Sequence, residues 1–175
     1  MSLFGAVLRR AGAIAAACAA VSSCGFQLQG AGTLPPALTR TYLVSSEPHS
    51  DFSSSLTTTL RLRGAEVVTS EGEASSVLSI VEDITGQRVL SVTARNVPRE
   101  YEVFYQVTFS LLVDGERMIE PESLIVTRSY TYDETQVLAK AREEQALRRA
   151  LADDLARRVV RRIEAAGAAA AAPGT

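Results

Sequence analysis

From Tyr101 to Val113, Tyr101, Val103, Tyr105, Val107, Phe109, Leu111 and Val113 share one parity, while Glu102, Gln106, Thr108 and Ser110 share the other. A period of two sustained this long predicts one long strand with a buried face and a wetter face. Upstream, Leu78, Ile80 and Ile84 alternate before Gly86, and downstream Leu124 to Tyr132 is rich in branched and aromatic residues. Strands are expected on both sides of the long one. Asp114-Gly115 tolerates the positive φ angles of a two-residue hairpin turn, so the pairing there is antiparallel.

From about Thr135 the period becomes helical. Leu138, Ala141, Leu147, Leu151, Leu155, Val159 and Ile163 form a stripe, with Arg148, Arg149, Arg157, Arg158, Arg161 and Arg162 on the remaining faces. Nearer the N-terminus, Tyr42, Leu43 and Val44 make a short strand. Asp51 is placed to cap a helix over Phe52, Leu56 and Leu60, which Gly64 stops, and Val67-Val68 is a second extended piece. Strand, short helix and strand in that order favour parallel pairing through a crossover. Both helices need a sheet face to bury their stripes, which predicts an α+β domain with a βαβ start and a long C-terminal helix. Gly25, Gly30, Gly32 and Pro35-Pro36 mark residues 24–40 as a tether. Residues 167–175, alanine-rich and closing in Pro173-Gly174-Thr175, read as a disordered tail.

The first 23 residues have a different character. Arg9 and Arg10 precede an uncharged run from Ala11 to Val21, too short to span a bilayer. Val21-Ser22-Ser23-Cys24 then places a branched residue three before a cysteine and a small residue just before it, which resembles the bacterial lipobox. Residues 1–23 are therefore expected to be a signal peptide cut before Cys24. Diacylation and N-acylation of Cys24 would supply three acyl chains, enough for durable anchoring at about 0.8 kcal/mol per buried methylene. Bacterial lipoproteins kept in the inner membrane generally carry Asp after the cysteine. Gly25 stands there, so the resemblance implies outer-membrane sorting.

Removing 23 of 175 residues leaves 152, enough for one domain with a real core. The leader takes two arginines and no acid, so 18 basic residues become 16 against 20 acidic ones, and the formal charge moves from −2 to −4. That balance argues against nucleic acid as a partner. Cys18 leaves with the leader and Cys24 carries lipid, so no disulfide is expected. His49, the only histidine, sits among Pro48, Ser50 and Asp51. It reads as a solvated loop residue, with no Gly-x-Ser-x-Gly elbow and no second histidine to make catalysis or a metal site plausible. Neither enzyme activity nor a cofactor is expected.

Two polar clusters remain. Arg88, Arg95 and Arg99 surround the connection between two strands, turned by Asn96 and Pro98, and Lys140 with Arg142 opens the long helix just after Tyr130 and Tyr132. Exposed loop arginine is commonly plain solvation. The functional alternative is phosphate: guanidinium forks bind it bidentately and lysine binds it as a point charge.

Cys24-Gly25-Phe26-Gln27-Leu28, a helix ending Leu60-Arg61-Leu62-Arg63-Gly64, and Glu100-Tyr101 opening a long strand follow in colinear order. Arg128-Ser129-Tyr130 with Asp133, and Gln136-Val137-Leu138-Ala139-Lys140 with Glu143-Glu144-Gln145, continue the series. Together they resemble the LptE (RlpB) family of outer-membrane lipoproteins of Gram-negative bacteria. The resemblance implies two helices on one face of a mixed, mostly antiparallel four-stranded sheet, forming a single α/β sandwich domain over residues 41–166. It implies a non-enzymatic role in lipopolysaccharide (LPS) assembly, as plug and folding partner of the LptD β-barrel and as an LPS-binding component. The family's LPS contacts fall on Lys140 and near Arg95, with Arg99 and Arg88 as neighbours. A lipoprotein of a phospholipid-transport system and a structural lipoprotein are the alternatives.

Overall fold

The structure is a computed structural model that describes residues 34–171. Cys24, the leader and most of the tether lie outside the described residues, as do residues 172–175. Strand β1 (Arg40–Ser45) leads through helix α1 (Asp51–Leu62) to β2 (Glu66–Val68). Three long strands follow: β3 (Ser76–Val92), β4 (Pro98–Val113) and β5 (Glu116–Thr131). Helix α2 (Val137–Ala171) closes the chain. The sheet order is β2-β1-β3-β4-β5.

The sheet thus has five strands, not four, and it is mixed rather than mostly antiparallel by pairing. β1 runs parallel to both β2 and β3, whereas β3–β4 and β4–β5 are antiparallel. The extra strand is β2, only three residues long, matched from Arg40↔Glu66 to Tyr42↔Val68. It is the extended piece expected at Val67-Val68, and the crossover through α1 lays it parallel to β1 as the strand-helix-strand order predicts; the four-strand count leaves it out.

Ser50, not Asp51, caps α1. Its side chain accepts from Ser53 N at 3.0 Å, and Asp51 is the first helical residue, where its charge suits the helix dipole. At the other end Gly64 adopts φ 90°, Gly64 N donates to Arg61 O (3.0 Å) and Ala65 N to Leu60 O (3.0 Å). These two bonds are a Schellman stop. Asp114 and Gly115 have φ 50° and 81°, and Val113 pairs directly with Glu116, as a two-residue hairpin requires.

The odd residues of β4 from Val103 to Leu111 are buried with Leu78 and Ile80 of β3, Phe52, Leu56 and Leu60 of α1, and Leu151, Leu155, Val159 and Ile163 of α2. Ile84 does not join them. A bulge between Ile80 and Glu82 shifts the register of β3, so that Ile84 pairs with Gln106 on the opposite, helix-free face and is exposed. The helical stripe also fails at its start: Leu138 is 79% exposed and Ala141 is exposed, with burial beginning in earnest at Leu151.

At about 1.5 Å per residue, α2 is about 52 Å long, matching 16-residue strands of about 53 Å. α1 is only about 18 Å long and covers one end of the sheet. β1 ends at the pair Ser45↔Ile80, so β3 has no neighbour on that side from Val81 onward. The far end of the β3–β4 hairpin is therefore thinly covered.

The chain also departs from expectation at both limits of the domain. α2 continues to Ala171, and Gly167 is buried, so the segment from 167 onward is helix rather than loose tail up to that point. Gly167 faces Pro35: a Cβ built on it would lie 2.0 Å from Pro35 Cγ. Leu38, assigned to the tether, is fully buried in the core.

Candidate functional site

The thinly covered end of the sheet is built by the β3–β4 connection and the junction between β5 and α2. In the first, Thr93 N donates to Val97 O (2.8 Å) and Asn96 N to Thr93 O (2.9 Å). Asn96 takes φ 62°, a conformation asparagine tolerates better than most residues. Arg95 projects from this loop and is exposed. In the second, Tyr132 N donates to Arg99 O (2.8 Å), which brings the exit of β5 beside the start of β4. Asp133 then accepts from Thr135 N (2.9 Å), Thr135 Oγ1 (2.7 Å) and Gln136 Nε2 (3.1 Å). The Thr135 bonds hold its carboxyl below the usual carboxylate range, with Lys140 adding a smaller electrostatic pull. Between the two segments lies a shallow open groove of about 450 Å³, lined by Thr93, Val97, Arg99, Tyr132 and Glu134 among others.

Behind the groove three tyrosines pack together. Tyr101 stacks on Tyr130 at 5.8 Å and 18°, and meets Tyr132 edge-on at 5.5 Å. Both geometries suit the aromatic quadrupole. The Tyr130 hydroxyl donates to Gln87 Oε1 (3.1 Å), and its pKa is raised by burial first and by the charge of Glu144 on α2 second.

The predicted cations divide. Arg95 and Arg99 lie at this end, and among the described residues neither has a side-chain ion pair or hydrogen bond. Lys140 lies near Asp133, donates to Glu143 at 2.8 Å, and leaves 19% of its side chain exposed. Arg88 goes elsewhere: its register partner is Glu102, whose parity faces away from the helices, and its Nε donates to that carboxylate at 2.6 Å. Arg128 was not anticipated. It stands opposite the buried Val103, between buried Val126 and Tyr130 of the same parity, yet is exposed and unpaired among the described residues. A charged residue at a core-parity position was the sequence signal. His49 is exposed in the turn before α1. Among the described residues no three His, Cys, Asp or Glu side chains converge as a metal site needs, and no helix is long and apolar enough to cross a membrane.

The chain matches the LptE family, lipopolysaccharide-assembly, over residues 38–163, which include α1, all five strands and α2 as far as Ile163. It belongs to the LptE family. The LPS-assembly lipoprotein LptE of Yersinia enterocolitica is 27% identical over 143 residues, covering 81% of this chain and 69% of that one. Among solved structures, lipoprotein B from Nitrosomonas europaea superposes with TM-score 0.68 at 26% identity, over 81% of this chain and 91% of that one. Rare lipoprotein B from Shewanella oneidensis gives TM-score 0.64 at 25% identity, over 72% and 94%. As a member of the LptE family, the chain carries an α+β fold of two helices and a mixed sheet.

Proposed function

We propose that this LptE-family protein is anchored in the outer membrane through acylated Cys24, sits in the lumen of an LptD-type β-barrel, and binds LPS at the open end of its sheet. The family match through sheet and long helix carries the reading. Two features of the fold support its parts. The helix-free face has polar rows, Glu82-Thr108-Ser123 and Arg88-Glu102-Ser129, on either side of two mixed rows, Ile84-Gln106-Ile125 and Gly86-Phe104-Thr127. A mostly polar surface of that kind suits the polar interior of an outer-membrane barrel. At the hairpin end, Arg95 and Arg99 have guanidinium groups free to take phosphate, and Lys140 needs only to exchange Glu143 for it.

LPS is a polyanion, so cations held on a rigid hairpin compete with bridging divalent ions for its phosphates. The test is LPS binding by Arg95→Glu and Lys140→Glu, singly and together, with Cys24→Ser processing followed by mass. Losing a charge-assisted hydrogen bond costs about 1.5–3 kcal/mol, or about tenfold or more in affinity. The melting temperature should stay nearly constant, since exposed substitutions usually cost less than about 0.5 kcal/mol. Equal affinity of the double variant at low salt removes both residues from the site. Failure to co-purify a large barrel from the native membrane in mild detergent removes the plug role.

A further inference from the structure

The β3–β4 hairpin carries a second kind of surface beside its cations. Val89, Leu90 and Val92 are 47%, 49% and 50% exposed, and with Val137 and Leu138 they make up five of the ten most exposed large apolar side chains among the described residues. The cause is architectural. β3 has lost β1 as a neighbour beyond Ile80, α1 does not reach this end, and register shifts between Val89, Ser91 and Val92 break the alternation that would turn apolar residues inward. A free, apolar strand end is normally blunted by charge. Here only Ser91 interrupts the apolar run from Val89 to Val92.

The charges lie just beyond the run, and they are cationic. Val92 pairs with Pro98, so Arg99 follows directly, and Arg95 lies in the loop between. The acids of this end are mostly engaged: Glu100 accepts from Ser91 (2.9 Å), Glu102 from Arg88, and Asp133 from Thr135 and Gln136. In the groove lining only Glu134 has no such partner among the described residues. Unpaired guanidinium beside exposed branched side chains complements a ligand that is itself anionic at one point and apolar next to it. A bare phosphate has no use for the valines, and an apolar peptide has no use for the arginines.

We infer that Val89, Leu90 and Val92 form an acyl-chain subsite, taking up the chains of one phosphorylated glycolipid whose phosphate Arg95 and Arg99 hold. The inference rests on the LPS-binding reading above and adds to it the half of the molecule that cations cannot recognise. Burying the remaining half of three branched side chains is worth about tenfold or more in affinity.

The experiment uses the full acylated chain in nanodiscs of zwitterionic lipid, with empty nanodiscs as reference. The probes are deep-rough LPS, the same phosphorylated glycan after complete deacylation, and vesicles containing phosphatidylglycerol. The wild type should bind the acylated probe about tenfold or more tightly than the deacylated one. A Val89→Ser, Leu90→Ser, Val92→Ser variant should lose that advantage and keep its weaker affinity for the deacylated glycan, whereas Arg95→Glu should weaken both. Should the triple variant melt early, Leu90→Gln alone serves, with a threefold or so smaller affinity as the expected result. Equal wild-type affinity for the two glycan probes, or an unchanged affinity in a folded apolar variant, overturns the inference and leaves the phosphate contacts standing. Tight vesicle binding lost in the triple variant, without preference for acylated glycolipid, overturns it in favour of a membrane surface. No binding of LPS by the wild type sinks instead the reading on which it rests.

Discussion

Asp83 joins helix α1 to the sheet, and removing it should uncouple the two. Its carboxylate accepts from Ser50 Oγ at 2.5 Å and from the hydroxyl of Tyr105, a residue 2% exposed. Ser50 in turn caps α1, and Phe52 N donates to the Tyr105 hydroxyl at a long 3.4 Å. In Asp83→Ala a buried hydroxyl loses its charged acceptor and the cap loses its brace. With hydrogen bonds to charged groups at about 1.5–3 kcal/mol and a stranded buried hydroxyl at about 1–3, the expected loss is about 2–4 kcal/mol once the solvent access of Asp83 is allowed for. Tyr105→Phe removes the donor while Asp83 keeps Ser50, so about 1–2 kcal/mol is expected. The two losses should overlap, with a coupling of about 1 kcal/mol or more in a double-mutant cycle read from urea denaturation by circular dichroism.

The same network has a pH signature. Burial first and Asp83 second push the Tyr105 hydroxyl above the ordinary tyrosine range. A raised value means the fold favours the neutral phenol, so this stability is complete below about pH 10, where unfolded tyrosine ionises, and is lost as pH rises through the folded value. Tyr105→Phe should flatten the alkaline limb of the stability curve. Additive single losses, or an alkaline limb that Tyr105→Phe leaves unchanged, would refute the network.

Phe109→Ala and Leu155→Ala, both fully buried, should each cost about 2–5 kcal/mol in a melt, and two harmless truncations would contradict the shared core of β4 and α2. Gly167→Ala brings a methyl to 2.0 Å from Pro35 Cγ, so an overpacking cost of about 1–3 kcal/mol should exceed the roughly 1 kcal/mol that alanine adds to a helix. In a Pro35→Ala background the same substitution should become neutral or stabilising; a higher melting temperature with Pro35 intact would show that the contact is not close.

What the chain determines locally it shows openly. The alternation of β4, the Asp114-Gly115 turn, the Gly64 stop and the stripe from Leu151 to Ile163 all recur in the structure, because each depends on residues within a few positions of one another. The candidate cations Arg88, Arg95, Arg99 and Lys140 were legible only as charges. Their placement was not. Arg88 belongs to the helix-free face because its register sets it opposite Glu102, and Arg128 reaches solvent at a core-parity position because β5 is an edge strand. Ile84 changes face because the bulge after Ile80 inserts a residue. Val89, Leu90, Val92 and Leu138 are exposed because β1 and α1 stop short of an end that the long strands and α2 both reach. Periodicity encodes which residues share a face; only the register and relative lengths of distant elements decide whether anything covers it.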